Sequence, residues 1–270
     1  MRPYTIIEKA VGETPLSAME AWREKNHIAK DIPLTYAGRL DPMASGTLLV
    51  LIGDTCKDKG VYLGLDKQYE FDVLFGLGSD THDVLGRLTK SDPILFDDRV
   101  VTEAAKELTG TIELPYPHFS SKTVQGKPLH TWSIEGRLGE ITIPTKTSQV
   151  YALRLEHSYT KTRSELYAEA SKKIESIPPV TELRKAIGND FRREDVRSDW
   201  RQFQNEGNPD DLFYLARFTC IASSGTYMRS LATALGARLD CEALAYSIHR
   251  TTIGNYQEIP FGGFWWKRYR

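Results

Sequence analysis

Cysteine is scarce in this sequence. Cys56, Cys220 and Cys241 lie far apart in a chain of 270 residues, and none belongs to a Cys-x-x-Cys pair. An odd number of widely spaced cysteines argues against a disulfide framework and against a structural zinc site. We therefore expect a cytoplasmic protein that holds no metal.

Long apolar runs are missing as well. No run of about 18 or more apolar residues occurs, so the sequence predicts no membrane-spanning helix. The first residues, MRPYTIIEKAVGET, contain no apolar segment followed by small residues. We therefore also expect no secretory signal.

Neither sign of charge is in clear excess. The sequence has 35 Lys and Arg against 36 Asp and Glu, which gives a net charge of −1. This balance argues mildly against nucleic-acid binding, for which a basic domain is typical. A local basic cleft is still compatible with it, because net charge does not describe how charges are distributed.

The apolar patterns predict interleaved strands and helices. Strands are expected at TLLVLIG (47–53), QYEFDVLFG (68–76), VYALRLEHSYT (150–160) and LFYLARFTCIAS (212–223), and helices at RVVTEAAKELT (99–109) and GTYMRSLATALGARLD (225–240). The spacing between them is not that of regular βαβ units. The sequence therefore predicts an α+β fold with a mixed or mostly antiparallel central sheet and flanking helices.

Residues 160–211 differ in composition from the rest of the chain. They are rich in charges of both signs and poor in apolar residues, so we expect a helical insertion that adds little to the main core. Its cations recur with Phe191 and Trp200 between them: Arg184, Lys185, Arg192, Arg193, Arg197 and Arg201. Cations interleaved with rings suit a nucleic-acid surface. The alternative is a solvated helical hairpin held by ion pairs with Glu194, Asp195 and Asp199.

The segment GRLDPMASG (38–46) is the most informative in the chain. An Asp-Pro pair among glycines is usually a turn, and on spacing alone that interpretation of Asp41 is favoured. The alternative is a loop that holds a carboxylate at the edge of the core, where its glycines let a ligand approach the backbone.

This segment resembles the signature of the tRNA pseudouridine-55 synthase (TruB) family, Gly-x-Leu-Asp-Pro-x-Ala-x-Gly followed by an apolar strand. Further similarities follow in the family's order: Lys67-x-Tyr69, then Asp80, Thr81, Asp83 and Gly86, then Pro117, Ser120, Lys122 and Gly126, then Gly225-Thr226-Tyr227-x-Arg229-x-Leu231, and finally Ile248 and Arg250. Together these matches cover most of residues 5–158 and 212–258.

Three features depart from the family's pattern. Tyr36 stands where the family usually has histidine, and residues 160–211 have no counterpart that we recognise. The family also commonly carries a C-terminal RNA-binding domain of the PUA type, which we do not expect here. We expect one catalytic domain, residues 1–270, that contains the insertion.

The resemblance implies an isomerase that converts a uridine of RNA into pseudouridine, with the T-loop of tRNA as the favoured substrate. It implies that Asp41 is the catalytic carboxylate, either as a nucleophile at the sugar carbon or as a base beside it. Arg229 would pair with Asp41. The remaining substrate-binding residues implied are Tyr69, Tyr227, Tyr36 and Ile248.

Structural alternatives exist for several of these residues. Arg229 can lie solvated on a helix face, and Tyr69 and Ile248 can be ordinary core residues. Two other functions also fit: an RNA-binding or RNA-folding module with the same fold and weak or no catalysis, and a synthase guided by a separate RNA. In each case we expect RNA as the partner, a monomer, and no cofactor, metal or membrane.

Overall fold

The computed structural model of the chain describes residues 2–179, 189–259 and 263–269. Its strands are β1 (Tyr4–Lys9), β2 (Leu34–Ala37), β3 (Ala44–Ile52), β4 (Asp66–Phe75), β5 (Leu77–Ser79), β6 (Leu88–Ser91), β7 (Gly110–Pro115), β8 (Thr123–Val124), β9 (Lys127–Pro128), β10 (Thr145–Thr162), β11 (Leu212–Ala222), β12 (Ala243–Ile259) and β13 (Gly263–Arg268). Its helices are α1 (Pro15–Lys25), α2 (Lys59–Leu63), α3 (Asp98–Glu107), α4 (Leu129–Ile134), α5 (Arg163–Ser176), α6 (Asn189–Asn205) and α7 (Met228–Arg238).

Across these described residues, nine strands form one sheet. Its order is β1-β3-β12-β4-β11-β10-β7, with β13 paired to β12 and β2 paired to β3. β12 and β3 run parallel, and the other neighbouring pairs are antiparallel. The predicted α+β class, with a mixed and mostly antiparallel sheet, is confirmed. In the same residues no helix is long and apolar enough to cross a membrane.

Helices α1 and α5 each begin after a threonine whose side chain caps the helix. Thr14 caps α1 in a capping box with Ser17, and Pro15 occupies the first turn. Thr162 caps α5 in a capping box with Glu165. In each box the side chains satisfy backbone N–H groups that have no partner inside the helix. The end of β10 therefore leads directly into α5 of the insertion.

The main core includes the insertion, so the expectation that residues 160–211 add little to it is wrong. The buried side chains that the insertion contributes to the main core cluster are Leu166, Ala170, Ile174, Val196, Trp200 and Phe203. They are few, but they recur three or four residues apart on α5 and α6. That spacing places them on one face of each helix, and the faces pack on the core together.

Trp200 gives a direct test of this packing. Its ring is fully buried, and its indole N–H donates to the carbonyl of Val84 at 3.1 Å. We expect Trp200→Ala to lower the free energy of unfolding by about 3–5 kcal/mol, because it leaves a large cavity and an unpaired carbonyl. Urea unfolding measures the loss. Arg201→Ala, next to it on the exposed face, is the control, and an equal small effect of both variants would contradict the packing.

Candidate active site

Asp41 lies in the loop that joins β2 to β3. The N–H of Ala44 donates to the carbonyl of Asp41 at 3.0 Å, so Asp41 is the first residue of a turn. β3 then pairs with β12, which sets Ile248 opposite Ala44 and Arg250 opposite Gly46. The turn interpretation and the loop interpretation of this segment therefore both describe it: the turn presents the carboxylate at the edge of the sheet.

Two buried cations hold the Asp41 loop from behind. Arg250 donates from Nε to Thr47 O at 2.8 Å and from its two terminal nitrogens to the carbonyls of Arg39 (3.3 Å) and Gly38 (3.2 Å). The ammonium of Lys9 donates to Ala44 O at 2.5 Å, and burial lowers the pKa of Lys9 to about 8. Both side chains donate hydrogen bonds to backbone carbonyls. These hydrogen bonds hold the loop in place without a bound ligand.

Close contact also requires glycine in this loop. Gly46 has φ of +111°, and a Cβ there would lie 2.2 Å from the carbonyl oxygen of Arg250. No L side chain fits that approach without moving the backbone of β12. The glycine that ends the signature segment is therefore explained by the packing of β3 on β12.

Arg229 pairs with Asp41. The Nε atom of Arg229 lies 2.8 Å from Oδ2 of Asp41, and only 4% of the Arg229 side chain is exposed, against 38% of Asp41. The terminal nitrogens of Arg229 donate to Thr81 O at 2.8 Å and to Phe119 O at 3.2 Å. The alternative of a solvated arginine on a helix face is wrong. A buried guanidinium fixed by two carbonyls instead faces a carboxylate that is open to the cleft.

A second carboxylate shares this guanidinium. Oδ2 of Asp83 lies 3.7 Å from Nε of Arg229, and Asp83 is buried. It accepts hydrogen bonds from the Thr81 hydroxyl at 2.7 Å and from the N–H of Leu85 at 3.0 Å. Burial raises the pKa of Asp83, and Arg229 opposes that rise. For Arg229 itself, burial acts to lower the pKa, but the carboxylates of Asp41 and Asp83 outweigh it and the pKa is raised.

Asp41 and Arg229 open into a cleft of about 630 Å³. Tyr69, Tyr227 and Ile248 line the same cleft, so the structure brings these predicted residues together with Asp41 and Arg229. Tyr69 reaches it because β4 pairs with β12, which sets Tyr69 opposite Arg250. Burial raises the pKa of the phenols of Tyr69 and Tyr227. Both therefore present neutral rings to whatever the cleft holds.

Tyr36 lies elsewhere. It belongs to β2, packs on the small cluster around Ile7 and Met19, and has the ammonium of Lys59 5.2 Å from its ring centre. It is not among the residues that line the Asp41 cleft in the described part of the chain. Its contact with RNA stays a prediction.

Lys67 and Phe119 also line the cleft, although neither is among the site residues expected from the sequence. Lys67 is buried and donates to Leu63 O at 3.0 Å and to the Ser224 hydroxyl at 3.3 Å. Burial is the main cause that lowers its pKa to about 8. The Lys-x-Tyr spacing, which puts Lys67 and Tyr69 on the same face of β4, was the available signal for Lys67. Phe119 belongs to no predicted strand or helix, and the available signal was its place between Pro117 and Ser120 of the matched motif.

A smaller pocket of about 220 Å³ adjoins the cleft, and the insertion builds its far wall. Asp41, Phe119 and Arg229 line both spaces, whereas Ile174 and Val196 line only the smaller one. The insertion thus borders the Asp41 site directly. Within the described residues no group of three or more His, Cys, Asp or Glu side chains that could hold a metal ion occurs.

The four arginines in residues 189–201 are paired with acids of the same chain. Arg192 pairs with Asp80, Arg193 with Asp190, Arg197 with Glu175 and Glu194, and Arg201 with Glu194. Arg184 and Lys185 lie outside the described residues. These pairs agree with the ion-paired hairpin, and Trp200 is buried rather than presented to a ligand. The RNA-contact alternative stays a prediction.

Comparisons with known proteins identify the family of the chain. The family model described as TruB family pseudouridylate synthase (N terminal domain) matches residues 27–174. The tRNA pseudouridine synthase B of Caldicellulosiruptor saccharolyticus is 28% identical over 205 residues, 71% of this chain and 69% of the relative. That of Syntrophus aciditrophicus is 26% identical over 250 residues, 92% of this chain and 61% of the relative.

Among solved structures, the chain is similar to one titled "Crystal Structure of a Cbf5-Nop10-Gar1 Complex". The TM-score is 0.52 at 16% identity, and the match covers 93% of this chain and 48% of that one, so it speaks for the fold alone. The family model, by contrast, matches more than half of the chain. The chain belongs to the TruB family of pseudouridylate synthases.

Proposed function

We propose that the protein is an RNA pseudouridine synthase that isomerises a uridine in the T-loop of tRNA, with Asp41 as its catalytic residue. The observation that carries the proposal is the pair of Asp41 and the buried Arg229, which stands where the cleft also presents Tyr69. The proposed enzyme is one catalytic domain that includes the insertion 160–211, and it acts as a monomer in the cytoplasm.

The reaction needs an anionic carboxylate in a confined place. The bond between the sugar and a uracil nitrogen breaks, the uracil turns, and a bond from the sugar to a uracil carbon forms. That carbon then loses its proton and the released nitrogen gains one, so uridine and pseudouridine contain the same atoms. Asp41 either attacks the sugar carbon or removes a proton beside it, and only its ionised form does either. Arg229 places a positive charge 2.8 Å from that carboxylate.

The cleft suits a base that has left its stack. A base inside folded RNA has to be extruded before it can turn, and the cost of a few kcal/mol is least for a loop nucleotide. Tyr69 offers a ring for stacking, and Ile248 offers an apolar wall that is only 6% exposed. Lys67, on the same strand as Tyr69, adds a cation to the wall.

Tyr69 variants test the stacking role. We expect Tyr69→Leu to reduce kcat/KM by about 10- to 100-fold, since stacking of a base on an aromatic side chain contributes about 1–3 kcal/mol. Tyr69→Phe keeps the ring, so any decrease of kcat/KM in this variant measures the contribution of the phenol hydroxyl alone, including any part in proton transfer. Steady-state kinetics on a tRNA transcript separate the two effects. Equal activity of the leucine variant and the wild type would show that the base does not stack on Tyr69.

The decisive experiment is to incubate the protein with unmodified tRNA transcripts and to map pseudouridine at single-nucleotide resolution. The proposal predicts one new pseudouridine in the T-loop and none with Asp41→Asn. Tight binding without pseudouridine would favour the RNA-folding module instead. Pseudouridine at another site would keep the activity and replace the substrate.

A further inference from the structure

Arg192 of the insertion contacts two segments of the main domain. Its guanidinium forms an ion pair with Asp80, at 2.5 Å between Nη1 and Oδ2 and 3.3 Å between Nη2 and Oδ1. The same guanidinium lies over the ring of Phe119, 4.3 Å from the ring centre. A planar cation held by a carboxylate on its edge and a ring on its face has little freedom to rotate.

These two segments are the ones that hold Arg229. Asp80 immediately precedes Thr81, and the carbonyls of Thr81 and Phe119 accept the hydrogen bonds from the terminal nitrogens of Arg229. One arginine therefore binds the side chains of Asp80 and Phe119, while the other binds the backbone at the same two places.

Helix α6 braces this arrangement at a further contact. Asp80 also accepts a hydrogen bond from the N–H of Arg87 at 2.9 Å. The guanidinium of Arg87 in turn binds Asp199 of α6 at 2.6 and 3.0 Å. Two residues of α6, Arg192 and Asp199, thus hold the loop that carries Thr81. Of these two, Arg192 also contacts Phe119 and so joins the loop to it.

We propose that Arg192 is a positioning residue for the reaction: it fixes the two carbonyls that orient Arg229, and through Arg229 it fixes the carboxylate of Asp41. The effect on turnover rests on the function proposed above, whereas the effect on Arg229 does not. Because Nε of Arg229 stands 2.8 Å from Asp41, a shift of either carbonyl moves the carboxylate relative to the substrate. A misplacement of about 1 Å can reduce a rate by about 100-fold.

The test compares Arg192→Met, Arg192→Lys and the control Glu175→Gln in single-turnover assays with saturating enzyme. Glu175→Gln breaks the ion pair between α5 and Arg197 of α6, so it loosens the hairpin without touching the Asp41 site. We expect Arg192→Met to slow the single-turnover rate by about tenfold or more while the Kd for tRNA stays within about twofold. Arg192→Lys keeps a cation for Asp80 but lacks the flat face over Phe119, so its rate should be intermediate.

Other outcomes overturn the proposal. A normal rate with a weaker Kd, and a slope of log affinity against log salt that is shallower by about one, would make Arg192 a phosphate contact. An equal loss of rate in Glu175→Gln would reduce Arg192 to general support of the hairpin. An unchanged rate would leave it without a role in the reaction.

A second readout does not depend on turnover. The N–H at Nε of Arg229 is buried, so its hydrogen exchange with water, followed by nuclear magnetic resonance, should be slow in the wild type. We expect faster exchange in Arg192→Met and wild-type exchange in Glu175→Gln. If the wild type makes no pseudouridine, the proposed function fails and this measurement still decides the inference. Unchanged exchange in Arg192→Met would contradict it.

Discussion

Asp41→Asn should reduce pseudouridine formation to below about 10⁻³ of the wild-type rate, while the variant folds and binds tRNA normally. Asparagine keeps the shape of the side chain but acts neither as a nucleophile nor as a base. Folding should survive, because Arg229 keeps its two carbonyl acceptors and the carboxylate of Asp83 at 3.7 Å. The guanidinium is therefore not left in the interior without a counter-charge.

Single-turnover kinetics, tRNA binding and urea unfolding on the same preparation measure the three parts of this expectation. Asp54→Asn is the matched control, since Asp54 is almost fully exposed and pairs only with Lys57 on the surface among the described residues. A folded Asp41→Asn protein with near wild-type turnover would remove Asp41 from the mechanism. A protein that unfolds would show instead that Asp41 is needed to keep Arg229 buried.

The sequence predicted the Asp41 loop and four residues that line the cleft with Asp41, namely Tyr69, Tyr227, Arg229 and Ile248. Short-range patterns such as Gly-x-Leu-Asp-Pro and Gly-Thr-Tyr-x-Arg predict local structure well, because the first lies in one turn and the second lies at the start of one helix. The sequence did not show which strand pairing brings these segments together. The pairing of β12 with β3 places Arg250 behind Gly38, and that depends on a register between residues about 200 positions apart.

The insertion shows a different limit. Its low apolar content predicted an insertion that adds little to the main core, yet Trp200 and Ile174 are buried in that core. Composition averages over both faces of a helix, whereas burial depends on one face, so a charged helix can still pack well. Tyr36 shows the converse: it precedes Gly38 by only two positions, but it packs on α1 side chains and away from the Asp41 cleft.

Arg229→Lys should lower the single-turnover rate by about 100-fold or more, a larger loss than it causes in stability. The guanidinium of Arg229 has three partners at once: it forms an ion pair with Asp41, 2.8 Å from Nε, and donates hydrogen bonds to Thr81 O at 2.8 Å and to Phe119 O at 3.2 Å. An ammonium keeps the charge but has no planar fork, so it cannot meet all three from one position. Asp41 then loses its fixed orientation, and a 100-fold loss corresponds to about 2.7 kcal/mol of transition-state stabilisation.

The free energy of unfolding of Arg229→Lys should fall by less. Only the carbonyl of Thr81 or Phe119 that is left without a donor adds a cost, of about 1–3 kcal/mol. Arg238→Lys is the control on the same helix: Arg238 pairs with Glu107 at the surface at 2.9 Å, and an exposed pair contributes at most about 1 kcal/mol. Comparing rate and urea unfolding for both variants separates orientation from folding. Normal turnover by Arg229→Lys would show that a positive charge beside Asp41 is sufficient for the reaction. The two carbonyls that fix Arg229 would then serve the fold and not the reaction. The contacts of Arg192 with the same two segments would likewise serve the fold.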